Sequence, residues 1–396
     1  MDELDAILSG WRGLSGSNRD AVLATVVHVT GSAYRRPGAR LLLIPDGRRI
    51  GSVSGGCLEG EISRKAWWFT ESGQPVLKIY DTSSDDDAVW EFGLGCNGIV
   101  QVLLERVLSP STEAMLSFLD ASRHTRHGVV VATVIRSDSG STLEVGQRLL
   151  FRPGAPMQGE LATSSVASHL QGHVTQAAKS RRSRLVHLEQ NGDQGAQILV
   201  EWVGPPQDLV IFGAGHDAIP VVAAAKSLGW RVTVADGRPA YATRERFPTA
   251  DHVVVMRPGR LLDGIVITPL TAVVMMTHNY PLDARLLPPV LACRPRYVGM
   301  LGPNKRAERL FEELAIRRPS SVHAPVGLDI GCDTPAAIAL SIVAEVQAAL
   351  NGKQGGKLNG KTGSLHAPVL ETGRAVEMPS MAEHPSFCET TVGSHV

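Results

Sequence analysis

The chain has little cysteine and no pairing pattern for it: Cys57, Cys96, Cys293, Cys332 and Cys388 are scattered over 396 residues. An odd, dispersed set excludes a disulfide framework and points to a reducing compartment. Net charge is also missing, because 39 Lys and Arg balance 39 Asp and Glu. A general nucleic-acid binder would carry a basic excess, so no nucleic acid is expected as a partner. No apolar run reaches the length that crosses a bilayer, and no membrane association is expected. Met1-Asp2-Glu3-Leu4-Asp5 lacks the basic n-region and apolar h-region of a secretory signal, which makes a cytoplasmic location the expectation. What is present is an apolar content of 43%, ample for two or three cores in a chain of this length.

The segment most suggestive of chemistry is Gly51-Ser52-Val53-Ser54-Gly55-Gly56-Cys57-Leu58-Glu59-Gly60-Glu61. It sets one cysteine in a glycine- and serine-rich turn between an apolar strand and a run able to start a helix. Glycines let the backbone take positive φ and admit a ligand close to the main chain. Peptide N–H groups at a helix start attract anions and lower the pKa of a thiol held there. Cys57 is thus a candidate nucleophile or soft-metal ligand, with Ser54, Gly55 and Gly56 lining its turn. The alternative is a small buried cysteine in a tight turn.

The first half repeats itself. Ala21 to Val29 is β-branched and apolar, reads as a strand, and returns as Val129 to Ile135 about 108 positions later. The register holds without gaps through Ala24/Ala132, Thr25/Thr133, Gly38/Gly146, Arg40/Arg148, Leu42/Leu150 and Gly51/Gly159. Val100 to Glu105 resembles Ala196 to Glu201 at a separation of 96, so the second copy has lost about a dozen residues. The candidate for the loss is Ser83 to Gly98, which carries Cys96. Cys57 falls opposite Ser165, and Gly55 and Gly56 fall opposite Thr163 and Ser164. One copy therefore holds both cysteine turns and the other holds neither, an asymmetry that favours a functional Cys57/Cys96 site. The loop Gly31 to Arg40 brings Arg35, Arg36 and Arg40, whose guanidinium forks suit a phosphate, or which form a solvated basic loop. Asp85, Asp86 and Asp87 could bind a hard cation, although acidic runs are usually just solvated.

Gly204-Pro205-Pro206 is a stiff connection and the natural domain boundary. Beyond it, Asp208 to Phe212 reads as a strand ending in Gly213-Ala214-Gly215-His216-Asp217-Ala218. A helix follows from Ile219 to Leu228, then a strand from Arg231 to Asp236, its acid 21 residues after Gly215. Strand, glycine turn, helix, strand and acid together are the context of the dinucleotide fingerprint. Further strands are expected at 252–255, at 271–277 ending in His278, and at 297–300 before a second glycine turn with Gly299 and Gly302. Gly213, Gly215, His216, His278 and Gly299 would line one edge of a parallel sheet. Asp236 suits a ribose hydroxyl, with Arg238 leaving a 2′-phosphate open, so NAD(P) or another nucleotide is a candidate ligand. His278 is a candidate general base or ligand, or a hydrogen-bonded histidine at a strand end. Thr334 is a good N-cap for a last helix, with Pro335 in its first turn.

The fold class expected is α/β: a β-rich duplicated N-terminal domain followed by a Rossmann-like doubly wound parallel sheet. Residues 1–204 form the first domain, with pseudo-repeats about 20–107 and 128–204. Residues 207–350 form the second, and 351–396 a disordered tail.

Taken together, Gly31 to Arg40, Gly51 to Glu61, Gly93 to Gly98, Val210 to Ala218, Thr277 to Asp283, Tyr297 to Arg306 and Gly327 to Glu345 resemble the xanthine dehydrogenase accessory protein family, XdhC/CoxI type. The resemblance spans about residues 10–350, with Asn97 where the family often has glycine. It implies a chaperone that binds the molybdenum cofactor, supports its sulfuration with a cysteine desulfurase, and inserts it into a xanthine dehydrogenase-like molybdoenzyme. In that reading Cys57 and Cys96 contact the molybdenum or its incoming sulfur, and Arg35, Arg36 and Arg40 hold the phosphate. A homodimer is expected. Two rivals remain at this point: an NAD(P)-dependent oxidoreductase using His278 as acid/base, and a nucleotide-sensing interaction module.

Overall fold

The structure, a computed structural model, describes residues 2–31, 33–81, 98–138, 140–190, 193–360, 371–372 and 376–377. They form two compact units, Leu14–Gly204 with the tail from His366, and Met1–Gly13 with Pro205–Leu365. The leading residues, expected from the sequence to join the first domain, thus group with the second. In that unit helix α1 (Glu3–Arg12) buries Ile7 and Leu8, each 1% exposed. Asp2 lies so close to Gly229 that a Cβ there would sit 2.5 Å from its Cα.

The unit Leu14–Gly204 is built twice. Strands β1 (Val22–Gly31), β2 (Arg40–Leu43), β3 (Arg49–Gly51), β4 (Val76–Asp81) and β5 (Gly98–Arg106) form an antiparallel sheet of order β3-β2-β1-β5-β4. Strands β6 (Val129–Ser137), β7 (Arg148–Phe151), β8 (Arg184–Gln190) and β9 (Asp193–Val203) repeat it as β8-β9-β6-β7. Val22 lies opposite Leu43 and Arg106, and Val130, 108 positions on, lies opposite Phe151 and Trp202. Even the bulge recurs, between Val26 and His28 and between Val134 and Arg136. A bulge inserts one residue and inverts the alternation beyond it. Accordingly Val22, Ala24 and Val26 pack towards the helix side of their sheet, and Val29 resumes that face after the extra residue.

Each sheet buries one face under its own helix. Helix α2 (Cys57–Phe69) presents Leu58, Ile62 and Ala66, one side of a helix at four-residue spacing. Helix α4 (Ala167–Ser180) presents Leu170 and Val174, with Val166 just ahead of it. These are the same positions shifted by 108. The opposite faces of the two sheets meet through Val27 and Leu103 of one and Ile135, Leu185 and Leu199 of the other. Helix α3 (Pro110–Arg123), between the copies, packs on β6 and β7. Residues 82–97, including Cys96 and the acidic run at 85–87, lie outside the described residues. The chain spans β4 to β5 in sixteen residues and β8 to β9 in two, which accounts for the shortened register of the second copy.

In the other unit β12 (His252–Val255), β11 (Arg231–Asp236), β10 (Asp208–Phe212), β13 (Ala272–Met275), β14 (Tyr297–Met300) and β15 (Val322–His323) pair in that order, all parallel. Both faces are covered, as a parallel sheet requires. One core joins α5 (Ala218–Ser227) and α8 (Pro335–Leu350) to the sheet, and a second joins α6 (Tyr280–Ala292) and α7 (Asn304–Glu313). Thr334 caps α8, accepting from the Ala337 N–H at 3.2 Å. The strand order reverses direction between β10 and β13, the switch point where such folds place ligands. In the tail, the two-residue strands β16 (Glu371–Thr372) and β17 (Val376–Glu377) lie parallel to β8, where disorder is expected from the sequence.

Candidate functional site

Cys57 is the first residue of α2, preceded by Gly56 at φ 117°, a left-handed conformation that favours glycine. What fixes this turn is Glu59, two residues into the helix. Its carboxylate accepts from the Ser52 hydroxyl (2.9 Å), from the N–H groups of Val53 (3.1 Å), Ser54 (2.8 Å) and Gly56 (3.1 Å), and from the Ser54 hydroxyl. The Ser54 oxygen in turn accepts from Gly56 N–H at 3.2 Å and Leu58 N–H at 3.1 Å. Glu59 is only 7% exposed. Burial pushes its pKa up, but hydrogen bonds from Ser54 and Ser52 outweigh burial and hold the carboxyl below its ordinary value. The anion-attracting N–H groups expected of this turn are therefore partly taken by an internal carboxylate: Ser54 and Gly56 shape the turn and donate inward. Glu59 belongs to the cysteine motif, yet the motif alone assigns it no role. Its signal is the spacing Gly56-x-x-Glu59, which is that of a capping box.

The arginine loop reaches the turn through Tyr34, whose ring lies 3.6–3.9 Å from the position of a Cβ on Gly55. Arg35 and Arg36 follow Tyr34 directly; Arg36 is half-buried. Arg40 does not join them. It is 5% exposed and grips Glu201 with both ends of its fork, Nη1 to Oε1 at 2.9 Å and Nη2 to Oε2 at 2.5 Å. A guanidinium removed from water must be paired, and Glu201 of the second copy pairs it. Its counterpart Arg148 does the same in reverse, donating to Glu105 of the first copy at 2.5 Å. Each arginine also donates to a carbonyl two residues back, Gly38 at 2.9 Å and Gly146 at 3.0 Å. The assignment of Arg40 to a phosphate is thereby corrected: it is half of a reciprocal pair of ion pairs joining the two copies.

The glycine edge of the parallel sheet is equally self-contained. Gly213, at φ 114°, passes so near β13 that a Cβ would fall 2.2 Å from the Met276 carbonyl oxygen. Asp236 accepts from Ala214 N–H at 2.7 Å, and from Arg238 through its N–H (2.9 Å), Nε (2.9 Å) and Nη2 (2.7 Å). Burial raises its pKa, and these bonds, led by the Arg238 side chain, more than reverse that and keep it ionised. Arg246 donates to the Ala214 carbonyl at 3.1 Å, so the turn is clamped on both polar groups. The Asp217 carboxylate lies over Gly215, where a Cβ would be 2.4 Å from Oδ1, and its other oxygen meets His278 Nε2 at 2.7 Å. His278 itself has φ 52° and is exposed. His216 follows Gly215 in the same turn and is also open to water.

This edge gives a bound dinucleotide no support: the Asp236 oxygens that would meet its ribose are held by Arg238, and the Asp217 carboxylate lies against Gly215. The NAD(P) expectation is therefore not supported, and neither is the oxidoreductase reading that needs it. Gly299 does not line the edge either. It is buried within β14, where a Cβ would meet Val326 Cγ2 at 2.5 Å. Gly302 turns the chain at φ 117° towards Arg306. Arg306 bonds Asp283 at 2.5 Å, and Asp283 also accepts from Thr277 at 2.5 Å, which ties β13, α6 and α7 together. Tyr297 donates to Glu345 at 2.5 Å, and Gly327 N–H donates to the same oxygen at 2.7 Å. Several motif residues of this half thus brace the fold. Among the described residues no group of three or more His, Cys, Asp or Glu is arranged to hold a metal ion, and no helix is long and apolar enough to cross a membrane.

Comparison with known proteins agrees with this architecture. Residues 14–81 match the XdhC and CoxI family, and residues 209–346 match the XdhC Rossmann domain. The chain is 34% identical over 346 residues, 87% of its length and 95% of the relative's, to a protein of Bacillus subtilis (strain 168) named as a probable xanthine dehydrogenase subunit. It belongs to the XdhC and CoxI family, as its cysteine-turn and glycine-turn motifs indicate. It is also similar, at 24% identity over 338 residues and 83% of each chain, to the molybdenum cofactor insertion chaperone PaoD of Escherichia coli (strain K12). A solved structure from Bacillus halodurans, described as a xanthine dehydrogenase, is 28% identical with a TM-score of 0.74, covering 91% of this chain and 98% of that one.

Proposed function

We propose that this chain is a molybdenum cofactor carrier. It receives the cofactor at the Cys57 turn, holds it while a cysteine desulfurase supplies sulfur, and passes it to a xanthine dehydrogenase-type molybdoenzyme. The observation that carries this reading is the turn held by Glu59, which places Cys57 at the start of a helix in one copy of a duplicated unit and has no counterpart in the other. A thiolate suits a soft metal centre, and a helix start lowers the pKa of a thiol placed there. Arg35 and Arg36, on the loop that Tyr34 brings to the turn, supply positive charge for the cofactor's phosphate, and Cys96 is the second thiol. The kinship with a relative named as a molybdenum cofactor insertion chaperone supports the same reading.

The test is anaerobic loading. Wild type, Cys57→Ser and Cys96→Ser are incubated with isolated cofactor, desalted, and assayed for retained molybdenum. Wild type should retain it in stoichiometric amount. Cys57→Ser should keep the wild-type melting temperature and lose most of the metal; unchanged retention would remove Cys57 from the site.

A further inference from the structure

Tyr34 is 70% exposed, more than any other large apolar side chain among the described residues. It is nevertheless not loose. The Cβ position on Gly55 lies 3.6 Å from the ring's Cγ and 3.8 and 3.9 Å from its two Cδ atoms. Near-equal distances to both Cδ atoms set that position over the face of the ring rather than beyond one edge. One face of Tyr34 therefore lies towards Gly55 of the cysteine turn, across a gap that a Cβ on Gly55 would fill, and the bulk of the ring is open to water. An aromatic ring in that arrangement is a stacking surface, because its π-face takes a planar heterocycle in offset contact.

The duplicated unit supplies an internal comparison. Under the gapless register, Tyr34, Arg35 and Arg36 correspond to Thr142, Leu143 and Glu144. Leu143 is buried in the core of its copy. The same register sets Gly55 against Thr163 and Cys57 against Ser165. The exposed aromatic, the flanking arginines, the bare glycine under the ring and the cysteine are thus replaced as a group in the other copy. The structural features of the loop, Gly38/Gly146 and Arg40/Arg148, are kept. The two loops therefore keep the same glycine and arginine and differ at the exposed aromatic, the two arginines after it and the cysteine turn.

We infer that Tyr34 is the stacking platform for the fused ring of a pterin whose metal end lies at Cys57 and whose phosphate lies towards Arg35 and Arg36. This rests on the carrier reading above and adds the group that recognises the organic part of the cargo. The probe is 6-hydroxymethylpterin monophosphate, which is fluorescent and carries neither metal nor thiolate, so that its binding does not depend on Cys57. Titration of wild type should quench the pterin. Tyr34→Phe should bind within about twofold of wild type, and Tyr34→Leu should bind about 5- to 150-fold more weakly, the range for loss of one aromatic stack. Gly55→Thr, which puts the second copy's side chain under the ring, should behave like Tyr34→Leu. Because Tyr34 is exposed, the melting temperature of Tyr34→Leu should not move. Equal affinity of Tyr34→Leu and wild type, or no binding of the pterin by wild type, overturns the inference. Failure of the carrier reading is separate, and would appear as pterin binding through Tyr34 without retention of molybdenum in the loading assay.

Discussion

Replacing Arg40 by methionine separates the two roles that have been considered for it. If Arg40 held a phosphate, Arg40→Met would leave the fold intact and weaken cargo binding. The structure requires the reverse. The Arg40 and Glu201 side chains are 5% and 10% exposed, so the variant leaves a carboxylate in the interior facing a methionine. Breaking a buried pair from one side costs about 3–5 kcal/mol, against a domain stability of about 5–15 kcal/mol. With a urea dependence of about 2–3 kcal/mol per molar, the midpoint of this unit should fall by about 1–2 M. Arg148→Met, which strands the fully buried Glu105, should fall comparably. The double variant Arg40→Met/Glu201→Leu removes both charges and should recover most of the loss, since well-packed apolar replacements of such pairs are often neutral. Urea titration with hydrogen exchange read on β1 and β9 assigns the transition to the right unit. An unmoved midpoint for Arg40→Met together with lost molybdenum loading would refute the reasoning.

Three further outcomes are expected. Glu59 has its carboxyl held below the ordinary value of 4.5, so it stabilises the fold once the unfolded chain's carboxyl is ionised, and that contribution is lost as pH falls through the lowered folded value. The stability gap between wild type and Glu59→Gln should therefore narrow from about pH 6 to about pH 3; a constant gap would contradict the hydrogen-bond geometry. Gly213→Ala combines a positive φ with a Cβ 2.2 Å from the Met276 oxygen, and should destabilise its unit by at least about 2 kcal/mol in thermal unfolding. Calorimetric titration with NAD(H) or NADP(H) should give no binding heat, because Arg238 holds the Asp236 carboxylate and the Asp217 carboxylate lies against Gly215.

Much of the architecture is legible in the sequence because it is local. The Rossmann unit announces itself through runs of four or five mostly apolar residues, each closed by a turn, and the observed α5 begins within one residue of the expected position. The duplication is legible because its register survives without a gap. Partnerships across the unit are harder. Glu201 lies 161 residues from Arg40, and a loop rich in arginine and glycine looks the same whether it grips a ligand or a distant carboxylate. The signal existed, however, in the repeat itself. Arg40/Arg148 and Glu105/Glu201 recur in both copies, and a residue kept where the cysteine is absent does not owe its place to the cysteine. Asp236 misleads in a different way. Its spacing fits the fingerprint, but Arg238, two residues on, has the reach to close over it.

Glu59 shows how one side chain separates the two copies. At +108 it corresponds to Ala167, and Ala167 is where α4 begins; in the first copy α2 begins two residues earlier, at Cys57. The helices otherwise present matching apolar positions, Leu58/Val166, Ile62/Leu170 and Ala66/Val174, so their packing does not set the difference. A helix start leaves N–H groups without partners, and a carboxylate at the third helical position that reaches back to the cap supplies acceptors for them. Glu59 does this for Gly56 and extends the same carboxylate to Val53 and Ser54. With alanine there, nothing on the side chain accepts those hydrogens, and the position equivalent to Cys57, Ser165, is left in the preceding turn. The helix start at Cys57 therefore depends on a carboxylate that accepts from the turn's own backbone: Glu59 draws the start of α2 back to residue 57.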